Sequence, residues 1–268
     1  MNDAIAVDLH TPLPSSPATQ AARGTAEGAA GEPAERATPA AGDAAANARA
    51  ALRAVRWEAD AVAIERESFR RIEAECGPPS LPPAEWRVVR RLVHTTGDPS
   101  VAPMLAFRHD PIRAGLTALR RGAPIFCDSN MIRAGLSVER LRLAHAGYSR
   151  ESLLCHIADA DVAARARAEH RTRALCAVEK ARPRLEGSVI LVGNAPLALA
   201  RVARYCLEEG LRPALVIGMP VGFVNVTESK ALLALCPVPQ IVLEGRRGGS
   251  ALAVAALHAV LENGSVAE

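Results

Sequence analysis

The run RRLVHTTGDPS, Arg90 to Ser100, places two arginines three and four residues ahead of His94 and Thr-Thr-Gly-Asp directly behind it. On a helix that spacing sets Arg90, Arg91 and His94 on one face. Guanidinium groups grip carboxylate or phosphate oxygens in a fork, and an imidazole can pass a proton near neutral pH. Helix-end carbonyls favour an imidazolium by ~0.3–1 kcal/mol and the arginines oppose it. An anion docked on the arginines would remove the opposition. The spacing therefore predicts a histidine that becomes a better proton donor once a polyanionic substrate binds. An exposed histidine at a helix end, with no chemistry attached, fits the same residues. The other histidines, His10, His109, His145, His156, His170 and His258, have no polar constellation beside them in the sequence.

Further candidates sit where apolar runs stop. EGRRGGSALAV joins Gly245, Gly248 and Gly249 to Arg246 and Arg247, with Ser250 as the expected N-cap of a last helix. Glycine-exposed N–H groups, a helix start and two arginines make a candidate anion site. A plain strand-to-helix turn with solvated arginines is the simpler alternative. CDSN carries Asn130 in a similar position, and GMPVGFVNVTESK carries Phe223 and Val224 in a long loop with Thr227 as expected N-cap. Those two apolar side chains suit a contact with an apolar ligand or a second subunit, or packing beneath the loop. VGNAP, Val192 to Pro196, is not G-x-G-x-x-G and no Walker lysine follows, so dinucleotide and nucleotide triphosphate binding have no support.

The elements that must hold these residues are readable from periodicity. Val62, Phe69 and Ile72 recur at helical spacing, and Gly77-Pro78-Pro79 ends that run. A second helix opens at Pro82-Pro83 with Trp86, Val89 and Val93 on one stripe, leaving His94 near its C-terminal end. Strands are expected around Ile125, Leu154, in VILV, around Val216 and around Val242. Helices are expected in DPIRAGLTALRRG and over 160–181, 196–209, 227–235 and 250–261. Strands alternating with helices predict an α/β fold: three-layer α/β/α, a five-stranded parallel sheet in the flavodoxin-like order 2-1-3-4-5. Ligands in such sheets collect beyond the carboxyl ends of the strands, which is where the candidate loops lie.

Composition narrows the function. The chain has 268 residues, 49% of them hydrophobic, enough for one core of ordinary size. Aromatic residues make up 3% and the net charge is +3, which argues against stacking on bases or tracking a phosphate backbone. Six cysteines, Cys76, Cys127, Cys155, Cys176, Cys206 and Cys236, lack C-x-x-C pairing and read as reduced core residues. No apolar run reaches the ~18 residues of a membrane span, and the start lacks a secretory pattern, so a cytoplasmic location is expected. Residues 1–56, rich in Ala, Pro and Gly, are expected to be a disordered tail, with a soft boundary because alanine runs could lengthen the next helix. A catalytic domain over 57–262 and a short tail over 263–268 complete the expected organisation.

RRLVHTTGD, GAPIFCDSNMIRAGL, VGNAPLAL, IGMPVGFVNVTESK and GRRGGSA, in that order, resemble the precorrin-8X methylmutase family of cobalamin biosynthesis. The resemblance spans roughly residues 57 to 262. It implies an isomerase that moves a methyl group in ring C of a corrinoid, from carbon eleven to carbon twelve, giving hydrogenobyrinic acid or its cobalt counterpart. It further implies His94 as proton donor and acceptor, no cofactor and no metal. Substrate binding falls to Ser68 and Arg91, with Thr95, Asn130, Arg246, Arg247 and Ser250 as further candidates on the motif loops. The partners implied are the corrinoid itself and a second copy of the chain, a homodimer with shared active sites. Pro99-Ser100-Val101 and Cys127 depart from the family's more usual residues. A non-catalytic corrinoid carrier would display the same anion loops without needing His94, and an unrelated phosphate-binding α/β enzyme is a third class.

Overall fold

A computed structural model describes residues 41–55, 57, 60–77 and 80–264. Most of the expected tail over 1–56, and residues 265–268 of the C-terminal one, lie outside the described residues. Two compact units divide at Trp57 and Glu58. In the first, Ala41–Ala54 forms helix α1. These residues have few of the large apolar side chains of a core, yet alanine, the strongest helix former, gives them a helix all the same.

The second unit opens with α2 (Ala61–Cys76), whose first N–H groups, from Val62 and Ala63, donate to Asp60 Oδ1 at 2.9 Å each. Helix α3 (Pro83–Thr96) starts on a proline and ends at Gly97, where φ is 63° and the amide donates back to Val93 O at 2.8 Å. That left-handed residue is the stop placed directly after H-T-T. Strand β1 (Leu105–Arg108) follows, then α4 (Pro111–Arg120), β2 (Ile125–Cys127), α5 (Asn130–Gly135), α6 (Val138–Ala144) and β3 (Leu153–Leu154). The rest of the chain is α7 (Ala160–Ala168), α8 (Arg173–Ala181), β4 (Val189–Val192), α9 (Pro196–Glu208), β5 (Leu215–Gly218), α10 (Val226–Ala234), β6 (Gln240–Leu243) and α11 (Ser250–Glu262).

The sheet is six-stranded and mixed, in the order β1-β6-β5-β4-β2-β3. This corrects the expected five-stranded, all-parallel flavodoxin-like sheet. The order 2-1-3-4-5 describes only the parallel part, β2 to β6, and β1 adds an antiparallel edge with Leu105 opposite Leu243 and Arg108 opposite Gln240. A second correction concerns residues 160–181, which form two helices because His170 takes a positive φ of 50° between them.

Alternation along the strands builds two cores. Ile125, Leu191, Ile217 and Ile241 face one way and pack with Val89, Leu92, Leu119 and Leu257 of α3, α4 and α11. Phe126, Ile190, Val216 and Val242 face the other way and pack with Val178, Leu199, Val202 and Leu233 of α8, α9 and α10. Both faces of the sheet are thus covered by helices, which explains why its strands read as continuous apolar runs.

Candidate functional site

The α2–α3 pair gathers the opening residues around a single ring. The Arg90 guanidinium lies 4.2 Å from the Phe69 ring centre, that of Arg91 4.9 Å, and the His94 ring 5.4 Å away at 72°, edge to face. One face of α3 therefore presents both cations and the imidazole to one quadrupole, an attractive geometry for each. Arg90 also pairs with Glu73 at 2.5 Å. Arg91 spans Glu65 at 2.6 Å and Glu262 at 2.8 Å with its side chain only 14% exposed. Its hydrogen bond holds the Glu65 carboxyl below the usual carboxylate range. Each arginine keeps a buried Nε–H with no acceptor. Ser68 is half-buried on α2 beside Phe69, and Thr95 turns back so that its hydroxyl donates to Arg91 O at 2.7 Å.

The turn after α3 meets the loop after β6. Asp98 Oδ1 accepts from the Ser100 amide at 2.9 Å, and Arg247 Nη1 donates to Asp98 Oδ2 at 2.6 Å and to Ser100 Oγ at 2.7 Å. The bonds from Ser100, then the charge of Arg247, hold the Asp98 carboxyl below its ordinary value. Arg246 goes elsewhere, with its guanidinium 5.5 Å from the ring centre of Phe223, which is 85% exposed.

At the carboxyl ends of β2 and β4 a buried carboxylate organises the loops. Asp128 accepts amides from Gly193 at 3.2 Å, Asn194 at 2.9 Å and Ala195 at 2.7 Å. Burial pushes its carboxyl up, and those three donors pull it back. Ser129 caps α5 by accepting the Ile132 amide and shares a 2.9 Å hydrogen bond with Ser250 Oγ. Asn130 is exposed at the start of α5, where its Oδ1 accepts from Cys155 Sγ at 3.4 Å.

Several sequence expectations change here. Ser250 is the first residue of α11 rather than its N-cap, which is Gly249, and its hydroxyl serves Ser129. Thr227 lies inside α10, whose N-cap is Asn225. Two glycines of these loops allow close approach between loops. A Cβ on Gly193 would stand 2.7 Å from Ser250 Cα, and one on Gly248 would overlap the Met219 carbonyl oxygen.

A cavity of about 470 Å³ opens beside α3, lined by Glu65, Phe69, Arg91, Arg120, Arg140, His258 and Glu262 with apolar walls from Leu116, Leu143 and Leu261. Of the expected site residues, Arg91 alone is on its wall; His94 packs against Phe69, one of the lining residues. His258 has the polar setting that its sequence neighbours did not reveal. Its Nε2 accepts the Ser137 amide at 3.2 Å, and burial, with Arg140 and Arg91 nearby, pushes the imidazole down to about 4. Phe69, Glu65, Glu262 and His258 line this cavity and Asp128 ties the strand-end loops together, and the motifs singled out none of them. Only Asp128 carried a local signal, an acid immediately after an apolar strand. Among the described residues no group of three His, Cys, Asp or Glu is placed to hold a metal ion, and no helix is long and apolar enough to cross a membrane.

Comparison with known proteins places the chain in a family. The family model described as Precorrin-8X methylmutase matches residues 63–263. A protein named cobalt-precorrin-8 methylmutase from Leptospira interrogans is 41% identical over 206 residues, covering 74% of this chain and 91% of that one. The precorrin-8X methylmutase of Pseudomonas aeruginosa is 39% identical over 203 residues, covering 75% and 95%. A crystal structure of precorrin-8X methylmutase from Thermus thermophilus superposes with a TM-score of 0.68 at 45% identity, covering 76% of this chain and 98% of that one.

Proposed function

The chain belongs to the precorrin-8X methylmutase family, and from that premise we propose that His94 lends a proton to a corrinoid while a methyl group moves within ring C. The protein is an isomerase of corrin-ring biosynthesis. Substrate and product have one composition: the methyl leaves one ring carbon and bonds to its neighbour. The proton lent by the imidazole is returned, so no external oxidant, reductant or group donor enters the balance. Protonating the conjugated system withdraws electrons from the migration path, and a placed general acid typically contributes about 10² to 10⁴ in rate. Holding the macrocycle in one conformation supplies the remainder.

The observation that carries this reading is the gathering of Arg90, Arg91 and His94 on one ring of α2. A corrinoid bears several acetate and propionate arms. Arg91, Arg246 and Arg247 offer forked donors to them, each charged hydrogen bond worth ~1.5–3 kcal/mol. Glu65 and Glu262 already occupy Arg91, so an arriving carboxylate has to compete with them. Ser68, Thr95, Asn130 and Ser250 are assigned to polar contacts with the same ligand. Residues 57–262 form the catalytic domain in this reading, in a cytoplasmic homodimer whose exposed Phe223 and Val224 face the partner or the pigment.

Substoichiometric protein mixed with precorrin-8X and followed by visible absorbance tests the assignment. Repeated conversion to the product spectrum is expected. A spectral shift that stops at one equivalent would mark a carrier instead.

A further inference from the structure

Lys230 is a buried cation that the proposed chemistry does not use. It sits in the first turns of α10 with 4% of its surface exposed. Its Nζ donates to Gly245 O at 2.8 Å and to Arg247 O at 2.7 Å. Among the described residues it makes no salt bridge. The charge is therefore committed to two backbone carbonyls of one loop, the loop between β6 and α11. Burying an ammonium without a carboxylate is costly, and such a site persists where the hydrogen bonds hold something in place.

What they hold is the segment that carries Arg247. On its far side that segment is pinned by Gly222 N donating to Arg246 O at 3.2 Å and Gly249 N donating to Met219 O at 2.8 Å. From it the Arg247 side chain crosses to Asp98 and Ser100, immediately after H-T-T-G. A continuous chain thus runs from Lys230 Nζ through the Arg247 backbone and guanidinium to the turn that follows His94. A cavity of about 150 Å³ adjoins Lys230, lined by Arg108, Thr227, Ala231, Glu244 and Gly245 among others. The charged groups around it are Glu244, which favours the ammonium, and Arg108, paired with Glu244 at 3.0 Å.

We propose that Lys230 is a positioning residue, the clamp that fixes the 245–247 turn so that Arg247 meets the Asp98 turn beside His94. The inference rests on the site proposed above, and it acts through Arg247 rather than on the ligand. Burial lowers the Lys230 ammonium to about 8, so the clamp weakens at mildly alkaline pH, where a neutral amine keeps two donors but loses charge assistance.

The test is a double-mutant cycle with two readouts. Lys230→Met, Arg247→Gln and the double variant are compared for affinity toward hydrogenobyrinic acid, by absorbance titration, and for amide hydrogen exchange. Lys230→Met is expected to speed exchange in 244–249 and 97–101 while the β4 and β5 amides stay protected. It is also expected to weaken pigment binding about tenfold, with the double variant no weaker than Arg247→Gln alone. Additive losses, or unchanged exchange in 97–101, would overturn the proposal. If Lys230→Met does not fold, Lys230→Gln, which keeps a donor but no charge, takes its place; collapse of both variants would show a core role and also overturn it. The exchange arm needs no pigment, so a wild-type protein that ignored the corrinoid would contradict the proposed function while the clamp was still decided.

Discussion

Arg247 Nη1 lies 2.6 Å from Asp98 Oδ2, which ties the loop after β6 to the turn that follows His94. Both partners are about half exposed, so the pair adds little to folding. Its contribution is to place the loop. Arg247→Ala is expected to leave the thermal midpoint within a few degrees of wild type and raise KM for the corrinoid about tenfold. Steady-state kinetics beside a melting curve separate the two effects.

The glycine at 248 is set by contact between loops. Any side chain there meets the Met219 and Pro220 carbonyls, which are backbone and cannot swing away. Gly248→Ala should therefore cost about 1–3 kcal/mol in urea unfolding, as overpacking does, and should also depress activity. A Gly248→Ala protein of wild-type stability would show that the loops separate more freely than their packing indicates.

Arg91 is held by Glu65 at 2.6 Å and by Glu262 at 2.8 Å. Replacing that acid by Glu65→Gln removes a competitor for the guanidinium without removing the guanidinium. KM is expected to fall about two- to fivefold, the span of a partly exposed ion pair, with kcat unchanged. A rise in KM would mean that Glu65 instead aligns Arg91 for the substrate.

His258 makes stability depend on pH in a definite direction. Its folded value is about 4 and its ordinary value 6.5, so between these the unfolded chain binds a proton that the folded chain refuses. Stability from this group is full above about 6.5, falls as pH drops toward 4, and is flat below that. Partial exposure screens the effect to roughly 1–2 kcal/mol. Urea midpoints measured at pH 7 and pH 5 should differ less in His258→Gln than in wild type.

Strands β2 to β6 were legible because both faces of each are covered by helices, leaving short, nearly unbroken apolar runs. β1 was not. LAFR has four residues, follows a proline-bearing 3-10 turn over Pro99–Met104, and precedes His109 and Asp110, both at positive φ. Its strand character comes from pairing with β6, which no local pattern encodes. The break between α7 and α8 was hidden for a similar reason, since the chain reverses at His170 with neither glycine nor proline there.

The same distinction separates the site residues. The face shared by Arg90, Arg91 and His94 follows from helical spacing and was readable. That Phe69 would be the ring beneath all three depends on how α2 packs on α3. Asp98 and Arg247 are 149 positions apart, and neither neighbourhood advertises the other. Glycines in GRRGGS looked like room for a ligand, yet Gly248 and Gly193 make room for neighbouring loops, and Ser250 bonds Ser129 rather than capping its helix.

The central claim is that the His94 imidazole supplies the proton that lets the methyl group move. Single-turnover conversion of precorrin-8X by His94→Ala, with binding checked independently by absorbance, tests it most directly. The expected result is a complex that forms with an affinity within a few-fold of wild type and converts at least about 10²-fold more slowly. Conversion at the wild-type rate would contradict the account.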